Sequence, residues 1–379
     1  MKILSLSLKK RCKFNFVLFA LMLVLLVLGC VFVYSASYYS AEITYSDKFF
    51  FLKKQLFGIA VGLVGFFAFS FIDYKLLAKV KWWLFGFSVI LLGLVFVPGI
   101  GLTNYGATRW INLRFVTIQP SEIAKFAFIV LSADILSKST EKVKSFKGIL
   151  SILAIGAVYC ILIILEPNMS ITICMGLLVV TMLFLGGTRL KHFLILIVPA
   201  VALAVVLVVI EPYRLKRLIA FIDPFASKQN EGFQLVQSLL GIALGSIFGS
   251  GIFNSRQKYL FLPFSESDFI FSIIAEETGF VGAVLVLLVF LLLFFVILKV
   301  ARNAKDRFGF LLASGIGSLI IIQVLLNISV VTGLVPPTGL PLPLVSAGST
   351  SIMVFMSMLG VVNNVHKQSV QNSQFLINK

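Results

Sequence analysis

Five polar clusters hold the side chains with which this sequence could do chemistry. In the stretch that begins Asn254-Ser-Arg-Gln-Lys258, Asp268 stands directly before an apolar run. A carboxylate at such an edge is partly desolvated, which raises its pKa toward that of a useful general base. Asp is equally a preferred helix N-cap, and the residues alone do not choose between the two. Glu276 and Glu277 then enter the apolar run itself, where an acid is costly unless paired. Glu122 and Lys125, three apart after Pro120, share a helix face. They read as an ion pair at a helix start or as a functional pair close to hydrocarbon. Arg214 and Arg217 have the same spacing, and two guanidinium groups on one face can grip a phosphate bidentately. Arg109 and Trp110 lie in the polar stretch 104–113. The fifth cluster, Thr332 to Ser351, is rich in Pro, Gly and hydroxyls and cannot be helical throughout. Irregular backbone of that kind survives at membrane depth only where protein or a cavity lines it.

The elements that must position these clusters are membrane helices. Of 379 residues 59% are hydrophobic and only 12% charged, and mean hydropathy is +1.06. A soluble protein carries about 25% charged residues. Apolar runs predict an all-α, polytopic membrane protein of about ten spans. They lie near 14–35, 55–72, 82–99, 121–137, 147–165, 170–187, 192–211, 270–298, 309–332 and 343–364. Lys9, Lys10, Arg11 and Lys13 precede the first run, which is too long for a signal peptide and is expected to remain as a span. One membrane domain, 14–364, is therefore expected between a basic tail (1–13) and a polar, unstructured tail (365–379), with a large loop at 212–269 that carries an interfacial helix near 233–247.

Charge orients the bundle. With both termini in the cytoplasm, most of the 32 Lys and Arg fall inside, and of the acids only Asp73, Asp134, Glu141 and Asp306 do. The net charge of +17 follows from that rule and does not call for nucleic acid. Arg109, Arg214, Arg217, Arg256 and Lys258 fall outside against the trend, as anchors for lipid phosphates or as holders of an anionic ligand. His192 and His366 fall inside, which leaves the outer face without a His metal site or a Ser-His-Asp system. Cys12, Cys30, Cys160 and Cys174 have no metal-like spacing, and there is no P-loop or dinucleotide fingerprint.

At these clusters the chain resembles the SEDS family (shape, elongation, division and sporulation), which contains FtsW, RodA and SpoVE. The resemblance rests on Gln119-Pro-Ser-Glu-Ile-Ala-Lys125, Tyr213-Arg-Leu-Lys-Arg217, Asn254-Ser-Arg-Gln-Lys258, Asp268 with Glu276-Glu277-Thr278-Gly279, and the Thr332–Ser351 loop. Asn254–Lys258 and Tyr34-Ser-Ala-Ser37 look closer to the FtsW/SpoVE branch than to RodA. The resemblance implies a peptidoglycan glycosyltransferase of the cytoplasmic (inner) membrane that polymerises lipid II on the extracytoplasmic face. It implies a class B penicillin-binding protein, a transpeptidase, as partner, among other membrane proteins of the divisome or the elongation complex. The family's essential aspartate falls on Asp268. Arg109, Arg214, Arg217 and Lys258 are the candidates for the diphosphates. Trp110, Glu122, Lys125, Gln234, Ser255, Gln257 and Ser346 complete the expected substrate site. A divalent cation, Mg or Mn, is left as an optional helper, with no organic cofactor. The chain departs from the family where a Glu and a His are replaced by Phe264 and Glu266, and where an Asp is replaced by Asn168. Two other readings stay open: a lipid II transporter and a non-catalytic scaffold.

Overall fold

The computed structural model describes residues 14–104, 107–112, 117–138, 146–196, 198, 209, 212–226, 232–337 and 339–377. Helices dominate. They are α1 (Phe16–Tyr45), α2 (Phe50–Phe71), α3 (Lys75–Leu94), α4 (Pro120–Lys138), α5 (Phe146–Leu165), α6 (Met169–Leu185), α7 (Pro212–Ile222), α8 (Phe233–Gly245), α9 (Ile270–Arg302), α10 (Arg307–Val331) and α11 (Ser349–Ile377). Among the described residues six helices are long and apolar enough to cross a membrane: α1, α2, α3, α5, α9 and α10. The expected seventh span, 192–211, lies mostly outside the described residues.

The chain is not wholly helical. Residues 101–118 hold a small antiparallel sheet of β1 (Gly101–Asn104), β2 (Ala107–Asn112) and β3 (Thr117–Ile118), in the order β1-β2-β3. These strands are rich in Thr, Ile and Trp, which favour a pleated surface, but they are too short to show a readable alternation. The sheet docks on α11, where Thr350 Oγ1 donates to the Thr117 carbonyl at 2.7 Å. The tail expected to be unstructured instead prolongs α11 to Ile377. No Gly or Pro follows Gly360, and Val361, Val362, Val365 and Val370 are buried, so nothing stops that helix.

Packing follows membrane rules. The backbone of α2 lies against α11 at Gly58, Gly62 and Gly65, which face Ser349, Met356 and Ser357; small residues allow helices to approach this closely. The most enclosed of the six membrane-length helices is α10, buried along most of its length. It carries two buried amides, Gln323 and Asn327, into the middle of the bundle.

Helix α9 breaks at Gly279 (φ 71°, ψ −172°). The segment after α8 fills the break. Phe280 N donates to Ser246 O at 2.9 Å, and Ser250 N and Gly251 N donate to the carbonyls of Glu276 and Glu277. A Cβ at Gly279 would meet the backbone of Ile247 and Gly249. The large loop is thereby tied to the first turns of α9.

Charged residues gather at the two ends of the bundle. At one end Lys81 and Lys138 pair with Asp134, Tyr74 Oη donates to Asp306 Oδ2 at 2.8 Å, and Gln368 reaches Asp73. Arg109, Glu166, Arg217 and Asp268 are brought together at the other.

Candidate active site

Asp268 closes the turn that leads into α9. The cap position of that helix is Phe269, with no side-chain cap bond, so Asp268 is not spent as an N-cap. Its backbone is gripped from two sides. Asn327 Nδ2 donates to the Asp268 carbonyl at 2.8 Å, and Ser346 Oγ donates to the Ser267 carbonyl at 2.6 Å. Ala347 N donates to the Glu266 carbonyl at 2.9 Å. The Pro- and Gly-rich loop between α10 and α11 is therefore the wall against which Asp268 is built. Ser346, expected to touch substrate, is 2% exposed and shapes this wall instead.

Two arginines from separate segments flank the site. Arg109, on β2, donates through Nε to the Glu166 carbonyl at 3.5 Å and through Nη2 to the Pro167 carbonyl. Arg217, on α7, donates through Nη1 to the Pro337 carbonyl at 3.2 Å. Solvent reaches part of Asp268, but its carboxyl is sunk among these groups. Burial, then the neighbouring Glu266 carboxyl, pushes its pKa up to about 7, while Arg109 and Arg217 pull the other way. Burial also raises Glu266. The departure at 264–267 therefore has a direct effect, since Glu266 sets a second acid beside Asp268.

Glu166 was not expected as a site residue. It is 1% exposed, and neither carboxyl oxygen has a hydrogen-bond partner. Burial pushes its pKa up to about 8, against the pull of Arg109. Its place at the end of an apolar run is a weak signal, because a cap acid looks the same there.

The remaining expected residues divide. Trp110 pairs with Leu102 across the sheet beside Arg109 and is half-buried. Gln234 lies in the first turn of α8, also half-buried. The side chain of Arg214 falls outside the described residues. Glu122 and Lys125 are fully buried and paired at 2.8 Å, with Lys125 Nζ also donating to Gln323 Oε1. Both lie inside the bundle, away from its surface.

Ser255, Gln257 and Lys258 are buried likewise. They belong to a second cluster, built on the two acids of α9. Ser255 Oγ and the backbone N–H groups of Arg256 and Gln257 donate to the Glu276 carboxylate. Lys258 Nζ lies 3.4 Å from Glu277 Oε1, with both side chains fully buried, and Ser35 Oγ donates to the same oxygen. Buried acids need such partners. Lys258 therefore neutralises Glu277 and does not face Asp268. An open cavity lined by Tyr34, Tyr38 and Phe253 lies beside this second cluster.

The chain is similar to known proteins over almost its whole length. Residues 15–371 match the model of the cell cycle protein family FtsW/RodA/SpoVE. Stage V sporulation protein E of Bacillus subtilis (strain 168) is 37% identical over 95% of this chain and 99% of its own. The "Probable peptidoglycan glycosyltransferase FtsW" of Geobacter sp. (strain M18) is 37% identical over 93% of this chain and 96% of its own. A solved chain from work on structural coordination of polymerization and crosslinking by a peptidoglycan synthase complex superposes with a TM-score of 0.79. It is 27% identical and covers 94% of this chain and 98% of its own. A helical bundle with an aspartate at one end, and relatives that match it from α1 into α11, make this chain a member of the FtsW/RodA/SpoVE family of cell cycle proteins.

Proposed function

We propose that this peptidoglycan glycosyltransferase polymerises lipid II into glycan strands at the outer face of the cytoplasmic membrane, for cell division. The observation that carries the reading is Asp268, outside any capping role, in a partly buried site flanked by arginines from β2 and α7. A base whose pKa lies near 7 is well matched to proton transfer at neutral pH.

The reaction would run with inversion. The acceptor's 4-hydroxyl gives its proton to Asp268 as its oxygen bonds to the donor's anomeric carbon. The bond from that carbon to the lipid diphosphate breaks on the opposite face, and the diphosphate leaves with the electron pair. Arg109 and Arg217 stabilise the growing charge, which fixed cations do without reorganising. No protein nucleophile is needed. Among the described residues no group of three His, Cys, Asp or Glu side chains could hold a metal ion.

A class B penicillin-binding protein fits as partner, because glycan strands must be crosslinked as they are made, and the solved relative comes from a complex that couples the two activities. The transport reading needs polar groups lining a path, whereas Glu122 is buried and paired with Lys125, and Glu277 with Lys258.

The test is polymerisation of lipid II by the full chain co-purified with its transpeptidase. Glycan strands are expected from the native protein and none from Asp268→Ala, with that variant still folded and still bound to its partner. Polymer of normal length from Asp268→Ala removes Asp268 from the role. Transfer of labelled lipid II across vesicles without polymer supports the transporter, and growth supported by Asp268→Ala supports the scaffold.

A further inference from the structure

Two amides on α10 read the backbone of the site. Gln323 and Asn327 are four apart, hence on one helix face. They are 0% and 1% exposed. Asn327 Nδ2 uses both its hydrogens, one on the Asp268 carbonyl (2.8 Å) and one on the Leu340 carbonyl (2.7 Å). Gln323 Nε2 donates to the next carbonyl, that of Pro341, at 2.9 Å. Its Oε1 accepts from Lys125 Nζ at 2.8 Å, and Lys125 in turn pairs with Glu122 at 2.8 Å. Both amide orientations are forced. A flipped Asn327 would aim its oxygen at two carbonyls, and a flipped Gln323 would aim its NH2 at an ammonium and its oxygen at a carbonyl.

The chain of contacts is continuous: Glu122, Lys125, Gln323, then the 340–341 backbone, then Asn327 and Asp268. Gly339, the residue before the gripped carbonyls, lies against the Asp268 carboxylate itself. A shift of this loop therefore moves both the backbone that carries Asp268 and the wall that its carboxylate touches. The arrangement is not the cheapest core. Asn327 Oδ1 is buried without a partner, a cost of about 1–3 kcal/mol that an apolar residue avoids. Glu122 Oε2 is left in the same state.

We propose that Gln323 and Asn327 are positioning residues for the glycosyl transfer, forming an amide ladder through which the buried Glu122–Lys125 pair sets the placement of Asp268. The ladder rests on the reading of Asp268 as the catalytic base. It also gives Glu122 and Lys125 a role in activity that needs no contact with substrate.

The experiment uses the full chain with its transpeptidase and five variants: Asn327→Asp, Asn327→Leu, Gln323→Glu, Lys125→Met and the double variant Lys125→Met/Asn327→Asp. Asn327→Asp keeps shape and loses both donors. Gln323→Glu keeps the acceptor for Lys125 and loses the donor to Pro341. Each single variant is expected to lower kcat at least about tenfold with little change in KM, as small misplacements of a reacting group do. The double variant is expected to be no slower than the slower single one, because both act through one chain of contacts. The midpoint of the acid limb of kcat is expected to move in Asn327→Asp and Gln323→Glu, and also in Asn327→Leu, which loses both donors without adding a charge. A loss of folded protein lowers the plateau and leaves that midpoint in place. Multiplying effects in the double variant, or unmoved midpoints with lowered plateaus, overturns the ladder. If Asn327→Asp fails to fold, Gln323→Glu tests the same ladder one turn away.

A second readout needs no activity. The C=O stretch of protonated Asp268, assigned by its loss in Asp268→Asn, is titrated by infrared spectroscopy in the substrate-free protein. A moved midpoint in Asn327→Leu, which loses both donors and brings no charge, supports the ladder even if Asp268→Ala proves active and the catalytic reading fails. An unmoved midpoint overturns the ladder even if the catalytic reading holds.

Discussion

Gly339 lies so close to Asp268 that a Cβ placed on it would sit 2.8 Å from Oδ2. The atom it would strike is the far end of a side chain, not backbone. Gly339→Ala is therefore expected to turn the carboxylate and leave the fold in place. Lipid II polymerisation should fall about tenfold or more, while the thermal midpoint of the purified protein stays within a few degrees. A variant that unfolds early, or one that keeps full activity, contradicts this contact.

The acid beside Asp268 sets its pH response. Glu266 raises the pKa of Asp268 and Arg109 lowers it. A general base works ionised, so activity rises as pH climbs through that pKa. Glu266→Gln removes the neighbouring negative charge, favours the ionised form and should move the acid limb to lower pH. Arg109→Gln should move it to higher pH and also weaken binding of the diphosphate. Acid limbs that coincide in both variants would exclude Asp268 as the titrating group.

Much of this site was readable in the sequence, and the failures have physical causes. Asp268 stood out because an acid directly before an apolar run is partly desolvated, although a capping aspartate looks the same in sequence. Arg109 and Arg217 stood out as cations among the outer loops. Ser255, Gln257 and Lys258 were visible as a polar block, but not their destination. That depends on the break at Gly279, which lets the loop after α8 fold back onto Glu276 and Glu277. The sequence has 28 glycines, and nothing marks this one as a break. Gln323 and Asn327 carry no signal in the sequence, because single amides within an apolar helix are ordinary until the loop they read is in place. The small sheet was missed because strands of four, six and two residues leave no period to find.

The second cluster predicts a stability effect separable from chemistry. Lys258→Met leaves Glu277 buried without its cation, which should cost about 3–5 kcal/mol. Glu277→Gln should be milder, since an amide can still accept from Ser35 and Ser255. The double variant Lys258→Met/Glu277→Gln should recover much of the loss, because no charge is then stranded. Thermal unfolding in detergent measures all three. Activity per folded molecule should be retained in the double variant. If it is lost while the protein stays stable, Lys258 takes part in the reaction.

Glu166 predicts a dependence of stability on pH that runs against the usual carboxylate. An ordinary glutamate near 4.5 becomes, in the folded chain, one of about 8. Between those values the unfolded chain has lost this proton and the folded chain has kept it. Raising the pH through that window therefore favours unfolding, by on the order of 3 kcal/mol at pH 7. Below about pH 4.5 the effect is absent, and above about 8 it no longer grows. Glu166→Gln removes the titration but buries an amide with no better partners, which shifts stability by a constant amount at every pH. The test is therefore the gap between variant and native thermal midpoints, not its absolute size. That gap should move in favour of Glu166→Gln from pH 5 to pH 8 and then level off. Parallel curves over that range would mean that Glu166 is ionised in the folded protein, held by Arg109 as an ion pair.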